Sequence, residues 1–191
     1  MMKSATRQWR LARAKPEWLM RAGLVTCAAL ALALLVIARA SAPNPNTARS
    51  LVGRPAPAFS LPAAQSGAML AAPITFNAHG RPTLLVFFNT LCVHCLSEIA
   101  AVERATVNAD VRTVLVDTPG ENAQITGAYL ARLRLDPPAL LDRAGNVARA
   151  YGVSYTPTLA LVDQRGIVLE VWVGETPQAT VAAALDSIGA S

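Results

Sequence analysis

Two cysteines set two residues apart, Cys92 and Cys95, close the segment Phe87-Phe88-Asn89-Thr90-Leu91-Cys92-Val93-His94-Cys95. An apolar, β-prone run leads into them, and a helical pattern follows at once. C-x-x-C at the start of a helix is the arrangement that thiol–disulfide exchange needs. Two intervening residues put both sulfurs on the first helical turn, within bonding reach of each other. The unpaired backbone N–H groups and the positive dipole end of that turn favour a thiolate over a thiol. The thiolate is the attacking species, so position alone confers reactivity.

The third cysteine, Cys27, lies in an apolar N-terminal run, which leaves the rest of the chain one possible internal bridge, Cys92–Cys95. A bridge closing so short a loop removes little entropy from the unfolded chain and is a poor structural staple. Two other uses of the pair stay open from the residues alone: packing as small hydrophobes, or holding zinc. Structural zinc wants four ligands, usually as two separated pairs. The chain offers Cys92, Cys95, His94 and the distant His79. The first three are too crowded to wrap one ion in the usual way, and no metal site is expected.

The net charge of +5 is unevenly spread. Residues 1–42 carry seven basic groups against Glu17, whereas residues 43–191 carry ten arginines against eleven acids. The basic excess belongs to the N-terminus and does not describe a nucleic-acid surface. Lys3, Arg7, Arg10, Arg13, Lys15 and Arg21 precede an uncharged run over 22–38, which Arg39 closes. Seventeen helical residues reach about 26 Å, slightly short of a bilayer core of about 30 Å. Flanking arginines can snorkel to cover the deficit. The expected organisation is a basic cytoplasmic tail over 1–21, a single membrane anchor over 22–38, a proline-rich tether over 39–50 and a domain over 51–191. Basic residues stay cytoplasmic, so in a bacterium the domain faces the periplasm from the inner membrane. The competing reading is cleavage at Ala40-Ser41-Ala42, an A-x-A site, which would release a soluble periplasmic form.

The elements that must position the cysteines follow from periodicity. Short strands are expected at 58–61 and 69–76, separated by turn residues around Ser66-Gly67. The continuous apolar run 83–88 reads as a central strand buried on both faces. A helix follows over 93–108, then a strand over 111–117, a helix over 121–133, a short strand over 139–142 and a small helix over 146–151. Strands 158–162 and 167–173 flank Asp163-Gln164-Arg165-Gly166, a hairpin in which Gly166 supplies the left-handed turn conformation. Pro177 opens a closing helix to residue 188. Strands alternating with helices, then a terminal hairpin and helix, make an α/β sandwich with a mixed sheet.

The order strand, C-x-x-C, helix, then Thr156-Pro157 before a hairpin and a last helix, resembles the thioredoxin fold. The details resemble the membrane-tethered TlpA/ResA-like disulfide reductases, which include the cytochrome c maturation thioredoxins. Val52-Gly53-Arg54-Pro55-Ala56-Pro57-Ala58-Phe59-Ser60-Leu61 is similar to that family's opening strand. Leu140-Leu141-Asp142-Arg143-Ala144-Gly145-Asn146-Val147-Ala148-Arg149-Ala150-Tyr151 is similar to its additional central strand–helix element. Tyr151-Gly152-Val153-Ser154-Tyr155-Thr156-Pro157-Thr158 is similar to its proline loop. The resemblance covers about residues 50–189 and implies a thioredoxin fold with additional N-terminal strands. There are departures. The family usually has tryptophan before the first cysteine and often proline after it, where this chain has Leu91 and Val93. The buried aspartate of thioredoxin falls at Val86, as is common in TlpA-like proteins.

The resemblance implies a dithiol–disulfide oxidoreductase without a cofactor beyond the redox-active Cys92–Cys95 pair. Cys92 attacks, Cys95 resolves, and Glu98, which matches the acid of a ResA-like C-x-x-C-x-x-E pattern, shuttles a proton. Thr156 and a cis-Pro157 face the disulfide and present a backbone edge to an extended substrate. Val93 and His94 tune the couple, His94 by lending positive charge to the Cys92 thiolate. The implied partners are disulfides of exported proteins and a membrane thiol–disulfide donor, with the domain acting as a monomer. C-x-H-C also resembles the oxidising DsbA type, so the direction of flow stays open. A peroxiredoxin-like peroxidase would want Thr where Asn89 stands. A Cu(I)-binding assembly factor would use Cys92, Cys95 and His94 as soft ligands.

Overall fold

The computed structural model describes residues 17–40, 44, 46–65, 68–69, 72–77, 79–120, 122–135 and 137–189. The chain divides into two units, Met1–Ala42 and Pro43–Ser191. The first contains helix α1 (Glu17–Ala40), whose side chains are exposed over 21–37. Within it the Thr26 hydroxyl donates back to the carbonyls of Ala22 and Gly23, so its polar group is satisfied inside the helix. Among the described residues no helix is long and apolar enough to cross a membrane.

The second unit begins with α2 (Asn46–Arg49). Part of the expected tether is thus structured, and Ala48 is buried beneath the domain. Gly152 shows how closely it docks. A Cβ there would meet the Thr47 carbonyl carbon at 2.7 Å, and φ is +64°, so glycine is required on both counts.

Strands β1 (Phe59–Leu61), β2 (Ala63–Gln65), β3 (Ala68–Met69) and β4 (Ile74–Phe76) precede the central strand β5 (Thr83–Phe88). Next come α3 (Val93–Thr106), β6 (Arg112–Asp117), α4 (Ala123–Leu133), β7 (Ala139–Leu141) and α5 (Asn146–Ala150). The chain closes with β8 (Thr158–Val162), β9 (Val168–Val173) and α6 (Gln178–Gly189). One mixed sheet has the order β3-β2-β7-β6-β5-β8-β9, and β1 pairs with β4 in a separate ribbon. β5 runs parallel to β6 and antiparallel to β8, with Val86 opposite Leu115 on one side and Leu159 on the other.

This is the expected thioredoxin-type arrangement with two corrections. The strand expected over 69–76 is two strands in different sheets, β3 against β2 and β4 against β1. β2, for which no strand was expected, joins the main sheet against β7. The turn residues Ser66 and Gly67 lie outside the described residues.

The run 83–88 is buried at every position and divides by parity between two cores. Leu84, Val86 and Phe88 join Cys95, Ile99 and Val102 of α3, Leu130 of α4 and Val181 and Leu185 of α6. Leu85 and Phe87 join Ala48, Phe76, Val147, Tyr151 and Val171 on the other face. The i, i+4, i+7 spacing of Cys95, Ile99 and Val102 is what turns one stripe of α3 onto the sheet. The hairpin forms around Asp163, whose Oδ1 accepts from the backbone N–H groups of Arg165 and Ile167. Gly166 takes φ +83° beside it, as that turn requires.

Candidate active site

The loop from β5 to α3 is held by one side chain. Asn89 Oδ1 accepts from Leu91 N at 2.8 Å, its Nδ2 donates to Pro119 O at 3.4 Å, and its carbonyl accepts from Cys92 N. Cys92 then occupies the N-cap of α3 in extended conformation, with no side-chain capping bond. The Cys95 N–H donates to the Cys92 carbonyl, and the sulfur sits at the positive dipole end of the helix. No acidic residue sits in that first turn to oppose a thiolate.

Cys92 and Cys95 are joined in a disulfide, with Cα atoms 5.3 Å apart. The two sulfurs differ in surroundings. Cys95 is wholly buried in the core shared by α3 and α6, whereas Cys92 is partly exposed. Cys92 Sγ lies 3.6 Å from the Thr156 carbonyl oxygen. The Thr156–Pro157 peptide is cis, as is Thr118–Pro119. Pro157 O accepts from Gly174 N, tying the proline loop to the end of β9, while Thr158 Oγ1 donates to Tyr155 O. The distant Thr156-Pro157 pair therefore does meet the cysteines.

The remaining residues singled out by sequence divide between surface and interior. Leu91 and Val93 flank Cys92 and are 81% and 79% exposed. His94 is exposed and its Nδ1 lies 3.0 Å from Glu175 Oε2. The Ser97 hydroxyl donates to Glu175 Oε1 at 2.9 Å and to His94 O at 2.8 Å. The Ser97 hydroxyl bond, followed by the His94 contact, holds the Glu175 carboxyl below its ordinary value. The imidazole is thereby committed to the segment between β9 and α6.

Glu98 is 3% exposed, an unusual place for a carboxylate. Its Oε2 accepts from Thr176 N at 2.9 Å, and Oε1 has no hydrogen-bond partner among the described residues. Burial pushes its pKa up, the nearby Glu175 charge adds to this, and the Thr176 bond opposes it. Standing three residues after Cys95, it shares that cysteine's face of α3. Val86, at the position of thioredoxin's buried aspartate, is fully buried and apolar, and Glu98 is the acid that α3 buries.

Sequence reasoning did not find Glu175, Ser97 or Thr176. For Glu175 and Thr176 the only sequence signal is position, just ahead of Pro177 and α6, the helix that packs on α3; Ser97 lies within α3 itself. Among the described residues there is no group of three or more His, Cys, Asp or Glu that could hold a metal.

The stretch 51–188 matches the Redoxin family model. The chain belongs to the Redoxin family. A curated relative, the thiol:disulfide interchange protein DsbE of Xylella fastidiosa, is 29% identical over 132 residues, covering 65% of this chain. The Redoxin chain spans about 62% of that relative's length. Among solved structures, a secreted Mycobacterium tuberculosis disulfide oxidoreductase homologous to Escherichia coli DsbE aligns with TM-score 0.55 and 18% identity, covering 65% of this chain and 94% of its own. The reduced 2-Cys peroxiredoxin of Plasmodium vivax aligns with TM-score 0.60 and 19% identity, covering 73% and 97%. At such identities these two likenesses show the thioredoxin fold alone. That a peroxidase shares it means the chemistry of this Redoxin domain must be argued from its own site.

Proposed function

We propose that this chain is a thiol–disulfide oxidoreductase that reduces disulfides of exported proteins outside the cytoplasm. The observation that carries the reading is the Cys92–Cys95 disulfide at the start of α3, with Cys92 Sγ 3.6 Å from the carbonyl before cis-Pro157. In the reduced form the Cys92 thiolate, favoured by the α3 N-terminus, attacks one sulfur of a client disulfide. That disulfide breaks, one client sulfur leaves as a thiolate and takes up a proton, and a mixed disulfide joins the client to Cys92. The Cys95 thiol gives its proton to the Glu98 carboxylate, and the new thiolate attacks Cys92 Sγ. The mixed disulfide breaks, the second client sulfur leaves and is protonated, and the Cys92–Cys95 disulfide remains. Two electrons have passed from the protein dithiol to the client. A thiol donor at the membrane returns them.

Burial suits Glu98 to that step, because a raised pKa brings a carboxylate closer to a thiol in proton affinity. The backbone edge at Thr156-Pro157 suits an extended client segment. The reducing direction is supported by the Glu175 carboxylate at His94, which offsets the positive charge that would otherwise favour the thiolate form. Asn89, three residues before Cys92, is engaged in shaping the loop, which leaves the peroxidase reading without a supporting contact.

The domain acts as a monomer, and α1 holds it at the inner membrane from the periplasmic side. Supporting this are the six basic residues before Ala22 and the placement of Arg21 and Arg39 at the two ends of the apolar stretch, where both can snorkel. The name of the Xylella fastidiosa relative, an interchange protein, fits the same chemistry.

The test is capture in the producing cell. A Cys95→Ser variant should accumulate disulfide adducts through Cys92 that reducing agent dissolves. Acid-quenched thiol labelling should find the wild-type pair mostly reduced. Absence of adducts would defeat the oxidoreductase reading. A mostly oxidised pair would reverse the direction. Recovery of the chain in the soluble fraction after lysis would remove the anchor.

A further inference from the structure

Beside Cys92 lies an open groove of about 540 Å³, within the size range of ligand sites. Leu91, Val153 and Tyr155 supply apolar lining near the sulfur, and Arg143 and Arg149 supply two guanidinium groups. Among the described residues no Asp or Glu lines it. Arg143 and Arg149 have no carboxylate partner among the described residues. The Arg149 guanidinium donates to Ala144 O at 2.9 Å and to Asn146 Oδ1, both neutral, so it is held in place with its charge intact. Asp142, adjacent in sequence, is buried. Its Oδ2 accepts from Thr118 Oγ1 and Ala148 N, turned inward. This local excess stands out because residues 43–191 carry ten arginines against eleven acids.

We propose that the groove selects its clients by charge: the extended segment beside the client's reactive cysteine carries Asp or Glu, which Arg143 and Arg149 receive, while an apolar neighbour rests on Leu91 and Tyr155. The proposal rests on the oxidoreductase reading and names the substrate class for it. Guanidinium groups suit carboxylates because their donors form a fork that matches two oxygens. An exposed charge pair adds little affinity but raises encounter rates, so selection appears mainly as speed.

The test uses the reduced full-length protein in detergent and short peptides bearing one cysteine, blocked as a mixed disulfide with a chromophoric thiol. The peptides differ only in whether the residues beside cysteine are Asp/Glu, Asn/Gln or Lys. The acidic peptide should react on the order of tenfold faster than the lysine peptide at low salt, with the gap closing near about 1 M salt. In the Arg143→Glu/Arg149→Glu variant the ratio should invert. Arg143→Glu alone, at an exposed side chain that makes no hydrogen bond among the described residues, should move the ratio the same way if the double variant melts early. Uncharged dipyridyl disulfide, tested on the wild type, separates the two readings. No reaction with it defeats the oxidoreductase assignment. Reaction with it, but equal rates for all three peptides or an unchanged ratio in the variants, overturns the charge selection alone.

Discussion

The two sulfurs of one disulfide face opposite worlds. Around Cys92 lie Leu91 and Val93, largely exposed, His94 and Glu175 at the surface, and the groove with its arginines. Around Cys95 lie Val86, Ile99 and Val102, all buried, with the Glu98 carboxylate sealed a turn further along. α3 creates the division, because its first turn stands beyond the C-terminal end of β5 while its apolar stripe packs with Leu84, Val86 and Phe88 of that strand. The outer half offers access and charge and adds little to stability; the inner half packs and holds one proton site. A resolving thiol that no bulky partner can reach is protected from side reactions until the mixed disulfide forms.

The largest break in the comparison comes from the cysteines themselves. Cys92→Ser and Cys95→Ser should both abolish multiple turnover, yet only Cys95→Ser should collect covalent adducts on non-reducing gels. Adducts mapped to Cys95, and not to the exposed Cys27, in the Cys92→Ser protein would mean that the inner sulfur is reachable. Next in size is packing. Ile99→Ala should destabilise the domain by about 2–5 kcal/mol in denaturant titration, as buried aliphatic truncations do. Leu91→Ala and Val93→Ala should stay within about 0.5 kcal/mol of wild type. A large loss from either surface change would erase the proposed division.

Glu98 sharpens it through pH. Its folded-state pKa is raised above the ordinary 4.5, so over the interval between the two values the native state holds a proton that the unfolded chain has released. Stability should therefore fall as pH climbs from 4.5 through the raised value. Glu98→Gln keeps an acceptor for Thr176 N and removes the charge. It should be more stable than wild type at neutral pH and lack that decline in thermal melts, while resolving the mixed disulfide more slowly. Parallel pH profiles for the two proteins would show that burial exacts nothing from this carboxylate.

The smallest effect belongs to His94. His94→Ala should lower the reduction potential by less than about 30 mV, a tenfold change in equilibrium constant against glutathione, because Glu175 already offsets the ring. In a Glu175→Gln background at pH 6 the same substitution should shift it further. A large shift in the wild-type background would mean that the ring acts on Cys92 unopposed.

Much of this was readable from local pattern. The run 83–88, the C-x-x-C, the hairpin around Gly166 and the helix after Pro177 each announce themselves within a few residues, through periodicity or turn chemistry. Thr156-Pro157 required a family resemblance, since no local pattern places it opposite residue 92. What escaped was long-range and non-repetitive. Glu175 reaches His94 and Ser97 across 78 or more positions, and Tyr151 donates to Pro57 O across 94. Nothing in the periodicity of either segment encodes its partner. The strands β2, β3 and β4 are two or three residues each, too short for alternation to separate one sheet from another.

The outward-facing nucleophile is tested most directly by alkylating the reduced protein with limiting iodoacetamide at pH 6 and mapping the label by mass spectrometry. The expected result is fast modification of Cys92, whose thiolate the α3 N-terminus should favour below the free-thiol pKa of about 8.5, with Cys95 labelled only after unfolding. Equal labelling of the two cysteines in the folded protein, or faster labelling of Cys95, would contradict it.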